Sequence, residues 1–228
     1  MRKKFLLTFV CVLLVAAASV LGTLAYLTDT DSAVNTFTIG QIDIELDEAR
    51  VDPDGQPVLD DEGEPVDRVK GNEYHLIPGR TYTKDPTITV KANGEASYIR
   101  ILVIVNCLNE LDTIFAPDGA ELETIFGGYD PSIWVYVDEV RDETANTITY
   151  EFRYKEIVEG GTEDLKLEPL FDNFTVPGVI TGEDLKTIQN LKITVEGHAI
   201  QAAGFSADSV TGETAEDVAW KAFDQQRQ

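Results

Sequence analysis

The chain has 228 residues, with 41 acidic against 18 basic side chains and a formal net charge of −23. So negative a surface excludes a nucleic-acid-binding protein, which needs a basic footprint, and it keeps copies apart in a way that salt and divalent cations modulate. The apolar share of 43% is that of a chain with a packed core, and the length suits one domain.

Arg2, Lys3 and Lys4 open the chain, an apolar run follows from Phe5 to Leu21, and Thr23-Leu24-Ala25 precedes Tyr26. This is the layout of a secretory signal peptide (residues 1–25) cut between Ala25 and Tyr26. The run is close to the lower limit for a membrane span, so a retained anchor stands as the alternative. Cys11 follows Thr8, Phe9 and Val10, which is not the setting of a lipid-attached cysteine, and no sortase-type motif ends the chain. The expectation is a secreted, extracellular or cell-surface protein with no membrane attachment after cleavage.

Residues 26–37 form a short, polar arm in which Leu27, Val34 and Phe37 are the apolar anchors. From Thr36 the pattern turns to period two, the signature of a strand with one buried face. Phe37 and Ile39 share one parity and Ile42, Ile44 and Leu46 the other, which predicts a glycine bulge at Gly40-Gln41. The segment 51–69 is acidic and holds two near-copies, DPDGQPV from Asp52 and DDEGEPV from Asp60. Their Pro and Gly predict an exposed loop or hairpin inserted between strands. Asp52, Asp54, Asp60, Asp61 and Glu62 are weak calcium candidates, because a hard cation prefers clustered oxygen ligands. An EF-hand is excluded, since Gly63 stands where the closing Glu belongs.

Further strands follow. Ile99 to Val105 is apolar on both faces, as in a central strand, and Ile133 to Val137 reads the same way. Ile148, Tyr150, Phe152 and Tyr154 alternate with polar residues, as do Leu191, Ile193 and Val195. A short helix is predicted over Glu121 to Phe126. A clearer one follows the capping box of Thr214 and Asp217, with Ala215, Val218, Ala219, Ala222 and Phe223 on one face and Trp220 extending it. That helix is expected to dock on its own sandwich. The class is all-β, an antiparallel β-sandwich with a few short helices.

Catalytic patterns are missing from this sequence. No phosphate-cradling glycine loop or nucleophile elbow is present. The two histidines, His75 and His198, lie far apart in strand-like contexts, whereas a helical zinc-protease motif needs them four apart. The parity of His198 predicts a solvent-facing side chain. Cys107 follows an apolar run and reads as a small buried hydrophobe.

Three blocks carry a resemblance. GTLAYLTDTDSAVNTFTIGQIDIEL (Gly22 to Leu46), HLIPGRTYTKDPTITVKANGEASYIRILVIVN (His75 to Asn106) and LKITVEGHAIQAAGF (Leu191 to Phe205) resemble, in the same order, the TasA/camelysin family of exported proteins processed by a SipW-type signal peptidase. The blocks span about a third of the chain. The resemblance implies a jelly-roll sandwich over residues 38–228 and a structural subunit of a cell-surface or biofilm-matrix fibre. It further implies that residues 26–37, with Leu27, Val34 and Phe37, act as a donor strand that completes the sheet of the next copy once the signal peptide is cut. The implied partners are copies of the chain itself and the peptidase. No cofactor is expected beyond weak calcium, and no enzymatic activity. Two alternatives stand beside this: a monomeric surface adhesin or carbohydrate-binding module, for which Trp134, Tyr136 and Trp220 could supply stacking although core packing explains all three better, and a camelysin-like metalloendopeptidase.

Overall fold

A computed structural model describes residues 41–115 and 125–226. Within them the chain is mostly β, all strand pairs are antiparallel, and the helices are short. The strands are β1 (Ile44–Asp47), β2 (Thr81–Thr83), β3 (Thr87–Val90), β4 (Ser97–Asn106), β5 (Phe126–Gly127), β6 (Trp134–Asp142), β7 (Thr147–Tyr154), β8 (Leu165–Lys166), β9 (Asn173–Thr175) and β10 (Ile193–Gln201). The helices are α1 (Leu108–Phe115), α2 (Gly182–Thr187) and α3 (Ala215–Gln226).

The centre is a four-stranded sheet in the order β10-β4-β7-β6. Its inner face follows from period-two alternation. Ile99, Ile101, Val103 and Val105 of β4 are all buried, flanked by Ile148, Tyr150 and Phe152 of β7 and by Ile193, Val195 and Ala199 of β10. Each fully buried aliphatic side chain contributes about 1.5–3 kcal/mol before chain entropy is subtracted. A second sheet, β1-β3-β8, lies against this face. The approach is closest at Gly197 of β10, where an added Cβ would sit 3.0 Å from Ile88 Cδ1 and 3.6 Å from Ile44 Cδ1. Glycine at that position is what lets the two layers meet. The third sheet, β2-β9-β5, is held by aromatic contacts. Tyr82 stacks on Phe174 with centroids 5.1 Å apart, and Tyr74 meets both rings edge-on.

Helix α3 covers part of the outer face of the central sheet. The expected capping box is present: Thr214 N and Oγ1 donate to Asp217 Oδ2, and Asp217 N donates back to Thr214 Oγ1. Two arginines tie the helix down. Arg153 Nη1 lies 2.6 Å from Asp217 Oδ1, while the buried Arg100 guanidinium pairs with Asp224 and stacks over Trp220 and Phe223, 4.5 and 5.2 Å from the ring centroids. Arg153 and then Thr214 hold the Asp217 carboxyl down at about 2, while burial raises that of neighbouring Glu216.

Several expectations need correction. Ile133 to Val137 does not form a central strand: it leads into β6, an edge, where Val135 and Val137 are exposed and only Trp134 is buried. The residues are apolar on both faces because Trp134 serves the core while the valines face outward. His198 does lie on the outer face, but α3 covers it: its side chain is only 10% exposed, it contacts Phe223, and its Nδ1 accepts from Arg100 Nε at 3.2 Å. Phe126 belongs to β5, not to a helix, and Ile125 before it sits in a 3-10 turn; residues 121–124 of the segment predicted as helical, and Gly40 of the predicted bulge, lie outside the described residues. The helix that does form in this region is α1, which sequence reasoning missed. Cys107, just before it, is half-buried with φ of 60°, and burial pushes its thiol up.

The acidic repeat folds as two successive copies of one turn. Asp52 Oδ1 accepts from Asp54 N and Gln56 N, and Asp60 Oδ1 accepts from Glu62 N and Glu64 N. Gly55 and Gly63 each take the positive φ that the turn requires, 78° and 85°. The segment is the expected hairpin, bridged at Val51–Pro57 and Leu59–Pro65, but the two copies differ in setting: the first leaves Pro53, Asp54, Gln56 and Pro57 exposed while burying Gly55. An added Cβ on Gly55 would lie 2.6 Å from Tyr82 Cδ1, so this turn is pressed against the core. The second projects into solvent.

Candidate functional site

Two strands of different sheets, β1 and β10, are edges on the same side of the molecule. Between them lies a cavity of about 590 Å3. One wall is Leu46 to Glu48, the other is Leu191 to Val195, and the floor includes Tyr74, Lys84 and Phe174. Among the described residues β10 is hydrogen-bonded along one side only, to β4. Its other side carries the backbone donors and acceptors that a further strand would satisfy. At Leu76, Phe174, Leu191 and Ile193 the cavity adjoins a smaller one of about 30 Å3, walled by Val176, Ile180, Leu185 and Ile188. The groove is therefore apolar at one end.

The other end is polar and firmly held. Arg68 fixes the segment that follows the acidic repeat onto β1 and the start of β3: Nε lies 2.5 Å from Asp47 Oδ1, Nη1 lies 2.7 Å from Asp85 Oδ2, and Nη2 donates to Thr87 Oγ1. Beneath it Glu48 and Lys84 form a buried ion pair, 2.5 Å apart with side chains 5% and 7% exposed. Asn72 Nδ2 donates to the second Glu48 oxygen and to Ala49 O, while Asn72 Oδ1 accepts from Val51 N. Tyr74 donates its hydroxyl to Thr83 O, and burial, followed by the Glu48 charge, raises its phenol above the ordinary value. At the rim Lys91 and Lys70 hydrogen-bond to Glu45 and hold its carboxyl down at about 2. Lys192 lines the same cavity and makes no ion pair among the described residues.

The charges of the floor are paired with one another, Glu48 with Lys84. An apolar trough beside a strand with one open side has the geometry of strand addition, in which an incoming main chain supplies hydrogen bonds and alternate side chains fill apolar pockets.

Of the residues singled out from sequence, Ala25, Tyr26, Leu27, Val34 and Phe37 lie outside the described residues. Asp52 and Asp60 each spend one carboxylate oxygen on their own turn, and Asp54 Oδ1 pairs with Arg80 Nη1 at 2.6 Å. Asp61 and Glu62 sit in the projecting second turn. Among the described residues no group of three or more His, Cys, Asp or Glu side chains is arranged to hold a metal ion. His75 is engaged through its backbone, its carbonyl accepting from Tyr82 Oη. Glu48, Asn72, Tyr74 and Lys84 were not legible as a set, because they converge only when β1 and the segment before β3 fold together. Compared with known proteins, the chain matches no family model, no characterised protein and no solved structure.

Proposed function

We propose that this protein is an exported structural subunit of a cell-surface or biofilm-matrix fibre, assembling by donor-strand exchange after signal-peptide cleavage. Residues 26–37 of one copy would enter the groove between β1 and β10 of the next. The observation that carries this reading is that two sheet edges border one cavity, with β10 bonded along a single side. Charge adds support: the arm bears Asp29 and Asp31, and Lys70 and Lys192 stand at the groove. Donor and acceptor surfaces differ, so the contact is head-to-tail and propagates rather than closing. The resemblance to TasA-like proteins adds the jelly-roll reading of the sandwich, with cut Ala25–Tyr26 by a SipW-type peptidase as the step that frees the arm. The second reading, a monomeric binding module, draws support from the exposed ring of Tyr136.

The test is electron microscopy of purified residues 26–228 and 38–228 across pH and calcium concentration. Filaments from the first and folded monomers from the second are expected. Folded monomers from both under every condition would overturn the fibre reading and favour the binding module.

A further inference from the structure

A second cavity lies at the opposite edge of the central sheet, beside β6. It measures about 160 Å3 and is lined by five aromatic residues: Phe126, Tyr129, Tyr136, Phe152 and Phe171. Its construction is rigid. Phe152 and Phe171 form a buried floor, and Phe126 stacks on Phe171 with centroids 4.5 Å apart. Tyr129 and Tyr136 both meet Phe152 at 61°, with centroids 5.5 and 5.7 Å away. The Tyr129 hydroxyl donates to Trp134 O at 2.7 Å and accepts from Tyr136 N at 3.0 Å. Its polar tip is thus consumed by the β6 backbone, and its ring is what remains for a guest. Tyr136 forms the outer wall, 45% exposed.

Protein interiors leave few voids larger than a water molecule. A cavity of about 150 Å3 lined by apolar side chains holds one benzene-sized molecule. The pocket here is of that size and opens to solvent. Its charge surroundings select among guests of that size. The Asp172 carboxylate, next in sequence to Phe171, is pressed against Gly128, where an added Cβ would come within 2.3 Å of its Oδ2. Gly128 has φ of 84° and sits between the lining residues Phe126 and Tyr129. Asp172 is exposed and stands beside the lining rather than in it, and its carboxylate has no hydrogen-bond or ion-pair partner among the described residues. Glu139 stands on the far side, 3.4 Å from the Tyr136 hydroxyl and 3.8 Å from Arg141.

Aromatic faces carry negative charge density and attract cations. A metal ion or primary ammonium needs hydrogen-bonding or coordinating atoms that a wall of ring carbons lacks. A neutral apolar guest gains nothing from Asp172. A cation with an apolar shell uses both. We infer that this aromatic pocket is a binding site for a quaternary ammonium group, held by the rings of Tyr129, Tyr136 and Phe152 with Asp172 as counter-charge.

The test is calorimetric titration of the full chain at low salt with choline chloride, and with the neutral isostere in which a tert-butyl group replaces trimethylammonium. Choline is expected to bind about tenfold more tightly than the isostere. Tyr136→Ala, at an exposed edge position, weakens choline about tenfold. Asp172→Asn weakens it about twofold to threefold and lowers its salt dependence. Circular dichroism verifies that both variants keep the β fold. No choline binding into the high-millimolar range, equal binding of the isostere, or unchanged affinity in either variant overturns the assignment. Filament formation plays no part in the readout, so the outcome is independent of the fibre proposal.

Discussion

The central sheet has two edges, β10 and β6, each of nine residues, and they are built differently. Strand β10 keeps an unbroken register with β4 from Ile193 to Gln201 and borders the large groove. Strand β6 breaks register between Tyr136 and Asp138, and its second half carries Asp138, Glu139, Arg141 and Asp142. Bulges and charges are the devices by which edges are kept from pairing with foreign strands. Val135, Val137 and Val140 are 41%, 39% and 63% exposed, so β6 would be an adhesive strand without those devices. One sheet therefore has a guarded edge and an open one, the asymmetry that the proposed head-to-tail assembly would use.

The largest effect is expected at the open side. Lys84→Met removes one half of the buried pair under the groove and leaves Glu48 uncompensated. Urea denaturation at neutral pH should show a loss of about 3–5 kcal/mol. Adding Glu48→Gln should recover much of it, and a loss below about 1 kcal/mol would mean the pair is not the anchor of that wall.

A smaller effect concerns α3, which covers the sheet beside β10. Asp217 is held at about 2 against an ordinary 3.8. The fold favours its charged form, so its contribution is complete above the ordinary value and disappears as pH falls through about 2. Glu216, raised by burial, acts in the reverse sense, because protonation favours its buried state. Near-ultraviolet circular dichroism of Trp220 should therefore show an acid step below pH 3.8. Asp217→Asn should abolish that step; an unchanged step would assign it to another group.

The smallest effect is expected at the guarded edge. Val140→Lys should alter stability by no more than about 0.5 kcal/mol and leave filaments intact, while Ile193→Lys, in the groove wall, should stop assembly. Sedimentation of the two variants checks this, and the reverse pattern would exchange the roles of the two edges.

Period-two alternation made β4, β7 and β10 legible, and the Thr214 capping box made α3 legible. Edge and centre were not separable for Ile133 to Val137, since apolarity on both faces marks a strand buried twice or one with an unpartnered outer face. Helix α1 escaped notice because its N-terminal cap is tertiary: Asn109 N donates to Asn146 Oδ1 and Leu108 N to Asn146 O. No local sequence signal announces such a cap. The groove was hidden for the same reason. Its walls come from opposite ends of the domain, and its floor joins Glu48 to Lys84 across a repeat that interrupts the pattern. The aromatic pocket was visible only as scattered rings.

The doubled acidic turn has a practical side. Its two copies use the same hydrogen bonds, yet only the inner one is fastened to the core, and nothing lies within 4 Å of a Cβ added at Gly63. The hairpin is thus a modular extension whose outermost unit can be lengthened, shortened or swapped without consulting the interior. It offers a natural place to graft a reporter peptide on the outside of the molecule, clear of both the groove and the aromatic pocket.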